Sequence, residues 1–138
     1  MPTEILFGRG KIKEIGVRVK ELGKTAMIVT GKTSAEKLGY TEKVKQLLEK
    51  EGVESVVFDQ VEQDPKVFTV NQGAKIAREN QVDVIIGLGG GSAMDAAKAI
   101  ALGAVNPGDI GEYLYGKPCH KALPIALITT TAGTGSEA

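Results

Sequence analysis

The chain has no tryptophan, three phenylalanines, three tyrosines, and a single cysteine and histidine. One thiol excludes a disulfide within the chain, and one thiol with one imidazole is too few for a structural zinc set. Charge of one sign is also lacking. Lys plus Arg and Asp plus Glu each total 17, with no long run of either, so the basic stripe of a nucleic-acid binder is missing. No apolar run approaches the roughly 18 residues of a membrane span. The opening MPTEILFGRG has neither the basic nor the apolar region of a signal peptide. The expectation is a cytoplasmic protein without a membrane or nucleic-acid partner. Cys119 and His120 are adjacent between Pro118 and Pro124. A nucleophile and base need a third orienting group and a pocket, and sequence neighbours rarely face each other, so the pair reads as part of a connecting loop.

What is present is the composition of a globular core, 42% hydrophobic and 25% charged over 138 residues, the size of one domain. Apolar strands are predicted over 5–8, 26–30, 53–58, 82–87 and 124–128. Between them, 12–22 places Ile12, Ile15, Val19 and Leu22 on one helical face, and 42–52 does so with Val44, Leu47 and Leu48. After a loop at Asp64-Pro65, the stretch 67–81 spaces Val67, Val70, Ala74 and Ala77 for a buried stripe. Strands such as MIVT and DVIIGLG are apolar at successive residues, which requires both faces to be covered. The fold class is therefore α/β: a doubly wound, mainly parallel, Rossmann-like sheet with helices on both faces, forming one domain over 1–138. Ligands of such sheets bind beyond the carboxyl ends of the strands.

Three strand ends carry the candidate site. The fourth strand runs into Gly87, Gly89, Gly90 and Gly91, and Ser92 is expected to open a helix with Asp95 at capping-box spacing. Glycines let backbone approach a ligand closely, and a helix start offers unpaired N–H groups and a positive dipole end, which together suit a phosphate. Ala93, Ala96, Ala97 and Ala101 allow this helix to pack tightly on the sheet. The run is not a strict dinucleotide fingerprint, because Ser92 stands where the last glycine belongs, and it lacks the Gly-Lys-Ser/Thr ending of a triphosphate loop. The second strand leads to Gly31, Lys32, Thr33 and Ser34, and the fifth to Thr129, Thr130, Thr131, Gly133, Thr134, Gly135 and Ser136. In a parallel sheet the three turns share one edge, where they can converge on an elongated anion such as a dinucleotide.

On GGGSAMDAAKAIA (89–101) and TTAGTGSE (130–137), with FGRGKIKEIG, VTGKTSA and NPGDI in support, the sequence resembles the iron-containing, or group III, alcohol dehydrogenase family over essentially its whole length. The resemblance implies a nicotinamide-dependent oxidoreductase interconverting an alcohol and an aldehyde or ketone. It maps pyrophosphate binding onto Gly90, Gly91 and Ser92 with Asp95 beside them, and the second motif onto Thr130, Thr131, Thr134 and Ser136 near the nicotinamide. Many members carry aspartate where Gly31 stands. Without that carboxylate a 2′-phosphate is not repelled, and Lys32 and Ser34 are placed to contact it, so the cofactor expected is NADP, with NAD as the alternative. Proline is also common in the family where this chain has Thr129.

The family's divalent iron is held by an aspartate and three histidines of a C-terminal helical domain, and this chain cannot contain that set. The resemblance thus implies a cofactor-binding half, ending at the boundary to that domain and not expected to turn over alone. No catalytic or metal residue is assigned, and iron belongs to the full-length enzyme. A homo-oligomer or the C-terminal domain is a possible partner. Two alternatives stand beside this reading: a non-catalytic dinucleotide-binding or assembly module, and a binder of polyol or sugar phosphates.

Overall fold

The computed structural model describes residues 4–7, 9–31, 39–63, 66–106, 111 and 121–129. Five strands, β1 (Glu4–Phe7), β2 (Thr25–Gly31), β3 (Glu54–Val61), β4 (Val84–Gly89) and β5 (Ile125–Thr129), form one sheet in the order β1-β5-β4-β2-β3. Every pairing is parallel. The helices are α1 (Ile15–Leu22), α2 (Tyr40–Lys50), α3 (Val67–Glu79) and α4 (Gly91–Gly103), with a 3-10 turn at Arg9–Glu14 before α1. The expected doubly wound α/β sheet is the observed one.

The central strands explain the topology. All six residues of β4 and the inner five of β2 are buried, as parallel strands covered on both faces must be. Their side chains alternate between two cores. Ala26, Ile28, Val84, Ile86, Leu88, Ala126 and Ile128 pack with Ile15 and Val19 of α1 and Val44 and Leu48 of α2. Met27, Val29, Ile85, Ile125 and Leu127 pack on the other face with Val70 and Ala77 of α3 and Ala96, Ala97 and Ile100 of α4. Small residues set the close approaches. A Cβ on Gly16 would lie 2.4 Å from the Leu47 carbonyl oxygen, so α1 crosses α2 almost backbone to backbone. One on Gly73 would lie 2.5 Å from Ile100 Cδ1, which fixes the spacing of α3 and α4.

The amino edge is closed by Asp83. Its carboxylate accepts main-chain N–H groups from Lys24 at 3.0 and 3.1 Å and from Thr25 at 2.9 Å. This ties the entry of β2 to that of β4. Beyond α4, Asn106 Nδ2 donates to the carbonyls of Leu102 and Lys121, both at 2.7 Å, and Arg78 Nη1 donates to that of Gly103 at 2.7 Å. The arginine bond satisfies a carbonyl that the helix end leaves without a partner, and the Asn106 bonds tie that end to the segment entering β5.

Several boundaries differ from expectation. β3 runs 54–61 rather than stopping at 58, and β4 runs 84–89 rather than 82–87. Gly87 and Gly89 therefore belong to the strand. A Cβ on Gly87 would meet Leu127 Cδ2 at 2.9 Å and Ala97 Cβ at 3.0 Å, so this glycine allows α4 to lie on the sheet. The 12–22 stretch is helical throughout, but its first turn is the tighter 3-10 form, with α geometry only from Ile15.

Candidate functional site at the carboxyl edge

The chain leaves β2 through α2 towards β3 on one side, and leaves β4 through α4 towards β5 on the other. Since β2 and β4 are neighbours, the two departing connections open a crevice between them, the position at which open α/β sheets take ligands. The register makes the floor level. Thr30 pairs with Leu88, so Gly31 and Gly89 are the next residues along, and Gly89 pairs with Thr129. Three adjacent strand ends are thus flush across about 10 Å, two strand spacings.

Gly89 closes β4 with φ 137°, a backbone conformation that side chains strongly disfavour. It turns the chain into Gly90, the N-cap of α4. The first helical bond runs from Met94 N–H to the Gly90 carbonyl at 3.1 Å. The N–H groups of Gly91, Ser92 and Ala93 therefore lack intrahelical acceptors, and no side chain among the described residues caps the helix. Gly91 is exposed, and a Cβ there would meet no described atom within 4 Å. Open space, free N–H groups and the positive end of a thirteen-residue helix coincide, which is the arrangement that binds phosphate.

The capping box is the expectation that fails. Ser92 is the second residue of α4, not its cap, and Asp95 sits exposed one turn further in, where it cannot reach back to the first N–H groups. The physical reason is that Gly89 and Gly90 complete the turn earlier than a serine cap requires. Ser92 Oγ instead donates to the main-chain carbonyl of Gln63, just beyond β3. Sequence reasoning alone does not bring Gln63 here. Its place directly after a parallel strand is the feature that points to this edge. Thr69 Oγ1 donates to Glu62 Oε2 at 2.8 Å and so fixes the same strand end from α3.

Of the other expected site residues, Gly31 is half-buried at the end of β2, beside a register shift that brings it opposite Val61. Lys32, Ser34, Thr130, Thr131, Thr134 and Ser136 lie outside the described residues, as do Cys119 and His120. Lys32 and Thr130 directly follow Gly31 and Thr129 in the chain. The small residues expected to seat α4 do so: Ala93, Ala96, Ala97 and Ala101 are all buried.

An open cleft of about 650 Å³ lies at the opposite edge, lined by Thr25, Lys45, Glu49, Glu54, Ser55 and Asn80. The C-terminal ends of α2 and α3 point there. Their negative dipole ends, with Glu49 and Glu54, disfavour an anion. For a phosphorylated ligand the carboxyl edge is the better site.

Comparison with known proteins agrees with this fold. Residues 2–138 match the family described as iron-containing alcohol dehydrogenase. The chain belongs to the iron-containing alcohol dehydrogenase family. It is 43% identical to NADH-dependent butanol dehydrogenase B of Clostridium acetobutylicum over 140 residues, covering 99% of this chain and 35% of that protein. The crystal structure of NADH-dependent butanol dehydrogenase A from Thermotoga maritima superposes with a TM-score of 0.84 at 37% identity, over 94% of this chain and 33% of that one. Sulfoacetaldehyde reductase from Bifidobacterium kashiwanohense, in complex with NAD+, gives a TM-score of 0.79 at 34% identity, over 99% and 36%. The chain thus spans about a third of the length of these members of the family and their structural relatives. Among the described residues no three His, Cys, Asp or Glu side chains gather as a metal site, and no helix is long and apolar enough to cross a membrane. No set of side chains among the described residues fits the iron of the family name.

Proposed function

We propose that this chain is the dinucleotide-binding part of an NAD(P)-dependent alcohol dehydrogenase. The cofactor's pyrophosphate rests on the N-terminus of α4 and its two halves lie along the carboxyl edge. The observation that carries this reading is the coincidence of the β2/β4 crevice with uncapped N–H groups at a helix start where Gly91 leaves open space. The dinucleotide supplies hydride transfer when bound, while the chain's own groups bind and orient it. The substrate pocket and the metal fall to parts of the enzyme outside this third, so the chain binds cofactor without turning over an alcohol.

Cofactor choice follows from the end of β2. Gly31 places no carboxylate there to accept a ribose hydroxyl or to repel a 2′-phosphate. We therefore take NADP as the preferred cofactor and NAD as the accepted one, the latter supported by the NADH in the names of two relatives. The test is Gly31→Asp, with NADP and NAD affinities measured by calorimetry. The expected result is about a tenfold or greater loss for NADP, the scale of an uncompensated like-charge contact, with NAD held or improved. Equal losses for both cofactors would contradict the assignment of Gly31.

A further inference from the structure

The carboxyl edge contains one bond that phosphate binding does not account for. Ser92 Oγ, at the start of α4, donates to the carbonyl of a residue 29 positions earlier, Gln63. Gln63 follows β3, the outermost strand, whereas α4 follows β4, and β2 lies between the two. The bond therefore crosses the end of β2 and joins the two sides of the crevice. The same strand end is tied to α3 through the bond from Thr69 to Glu62, with Thr69 only 5% exposed. The end of β3 is thus held at two successive residues, Glu62 by α3 and Gln63 by α4.

A serine hydroxyl has one proton to donate. Directed at Gln63, it leaves only lone pairs for a phosphate oxygen, which has no proton to offer in return. Phosphate binding then falls to the main-chain N–H groups of Gly91, Ser92 and Ala93. We propose that Ser92 is a positioning residue. Its hydroxyl latches the end of β3 to the N-terminus of α4 and so places the wall met by one half of an extended dinucleotide, while donating nothing to the phosphate. This rests on reading the edge as a dinucleotide site.

The test compares the unsubstituted chain with Ser92→Ala and Ser92→Thr. In the ligand-free chain, Ser92→Ala is expected to speed amide hydrogen exchange at the end of β3 and at Val70, whose N–H donates to the Lys66 carbonyl, about three- to tenfold, the scale of one net hydrogen bond. Exchange in β4 should be unchanged, and Ser92→Thr, which keeps a hydroxyl, should restore the slow rates. Inorganic pyrophosphate should bind Ser92→Ala within about twofold of the unsubstituted chain, while NADP weakens by about the factor seen in exchange. Unchanged exchange in Ser92→Ala, or pyrophosphate weakening as much as NADP, would overturn the latch. If neither ligand binds the unsubstituted chain, the dinucleotide reading fails separately. The exchange arm then decides alone, acceleration supporting the latch and its absence overturning it.

Discussion

Gly91→Ala separates binding from folding more cleanly than any other substitution at this edge. The added methyl meets no described atom within 4 Å, and residue 91 lies within helix α4. Alanine is favoured over glycine in helices by about 0.5–1 kcal/mol. Stability should therefore hold or rise, by up to about 3–5 °C in Tm for a domain of this size. The same methyl occupies the space in which a phosphate would approach the free N–H groups. Forcing a methyl into a filled contact costs about 1–3 kcal/mol, or about 5- to 150-fold in Kd. Thermal scans of both proteins, with and without NADP, give stability and binding in one experiment. The expected pattern is an unchanged or higher Tm without ligand and a smaller ligand-induced rise. A variant that binds NADP as tightly as the unsubstituted chain would refute the cradle at Gly91.

The remaining substitutions test the fold that carries the site. Asp83→Ala strands the N–H groups of Lys24 and Thr25 and should cost about 1–3 kcal/mol in urea unfolding; Asp83→Asn, which keeps an acceptor, should cost less. Gly73→Ala drives a methyl to 2.5 Å from the fully buried Ile100 and should destabilise by about 1–2 kcal/mol after its helix gain. Adding Ile100→Val, which lacks the offending Cδ1, should recover part of that loss, and strict additivity of the two changes would contradict the contact. Thr30 is fully buried, and its hydroxyl has no hydrogen-bond partner among the described residues. Thr30→Val should therefore be neutral or stabilising by up to about 2 kcal/mol, and a clear loss of stability would mean that the hydroxyl has a partner.

The sequence was most legible where burial is two-sided. Runs such as MIVT and DVIIGLG reveal central parallel strands because both faces must be apolar, and β2 and β4 are buried as that reasoning requires. Less legible were features set by contacts between distant segments. The spacing of Ser92 and Asp95 matches a capping box, yet the early turn at Gly89 and Gly90 places Ser92 inside the helix. Local spacing cannot reveal that the hydroxyl is drawn to Gln63. Likewise Gly87 reads as part of a ligand loop until the approach of Ala97 and Leu127 shows it to be a packing residue. A glycine-rich run thus combines two demands, close packing at Gly87 and an open helix start at Gly91, and only the distances divide them.

The central claim is that a dinucleotide binds at the carboxyl edge between β2 and β4. Amide chemical shifts followed during titration of the chain with NADP test it most directly. The account predicts saturable shifts at Gly31 and at Gly89, Gly90, Gly91 and Ser92, with Lys24, Thr25 and Asp83 at the amino edge unmoved. Shifts concentrated instead around Lys45, Glu49 and Asn80, or none at any residue at millimolar NADP, would contradict it.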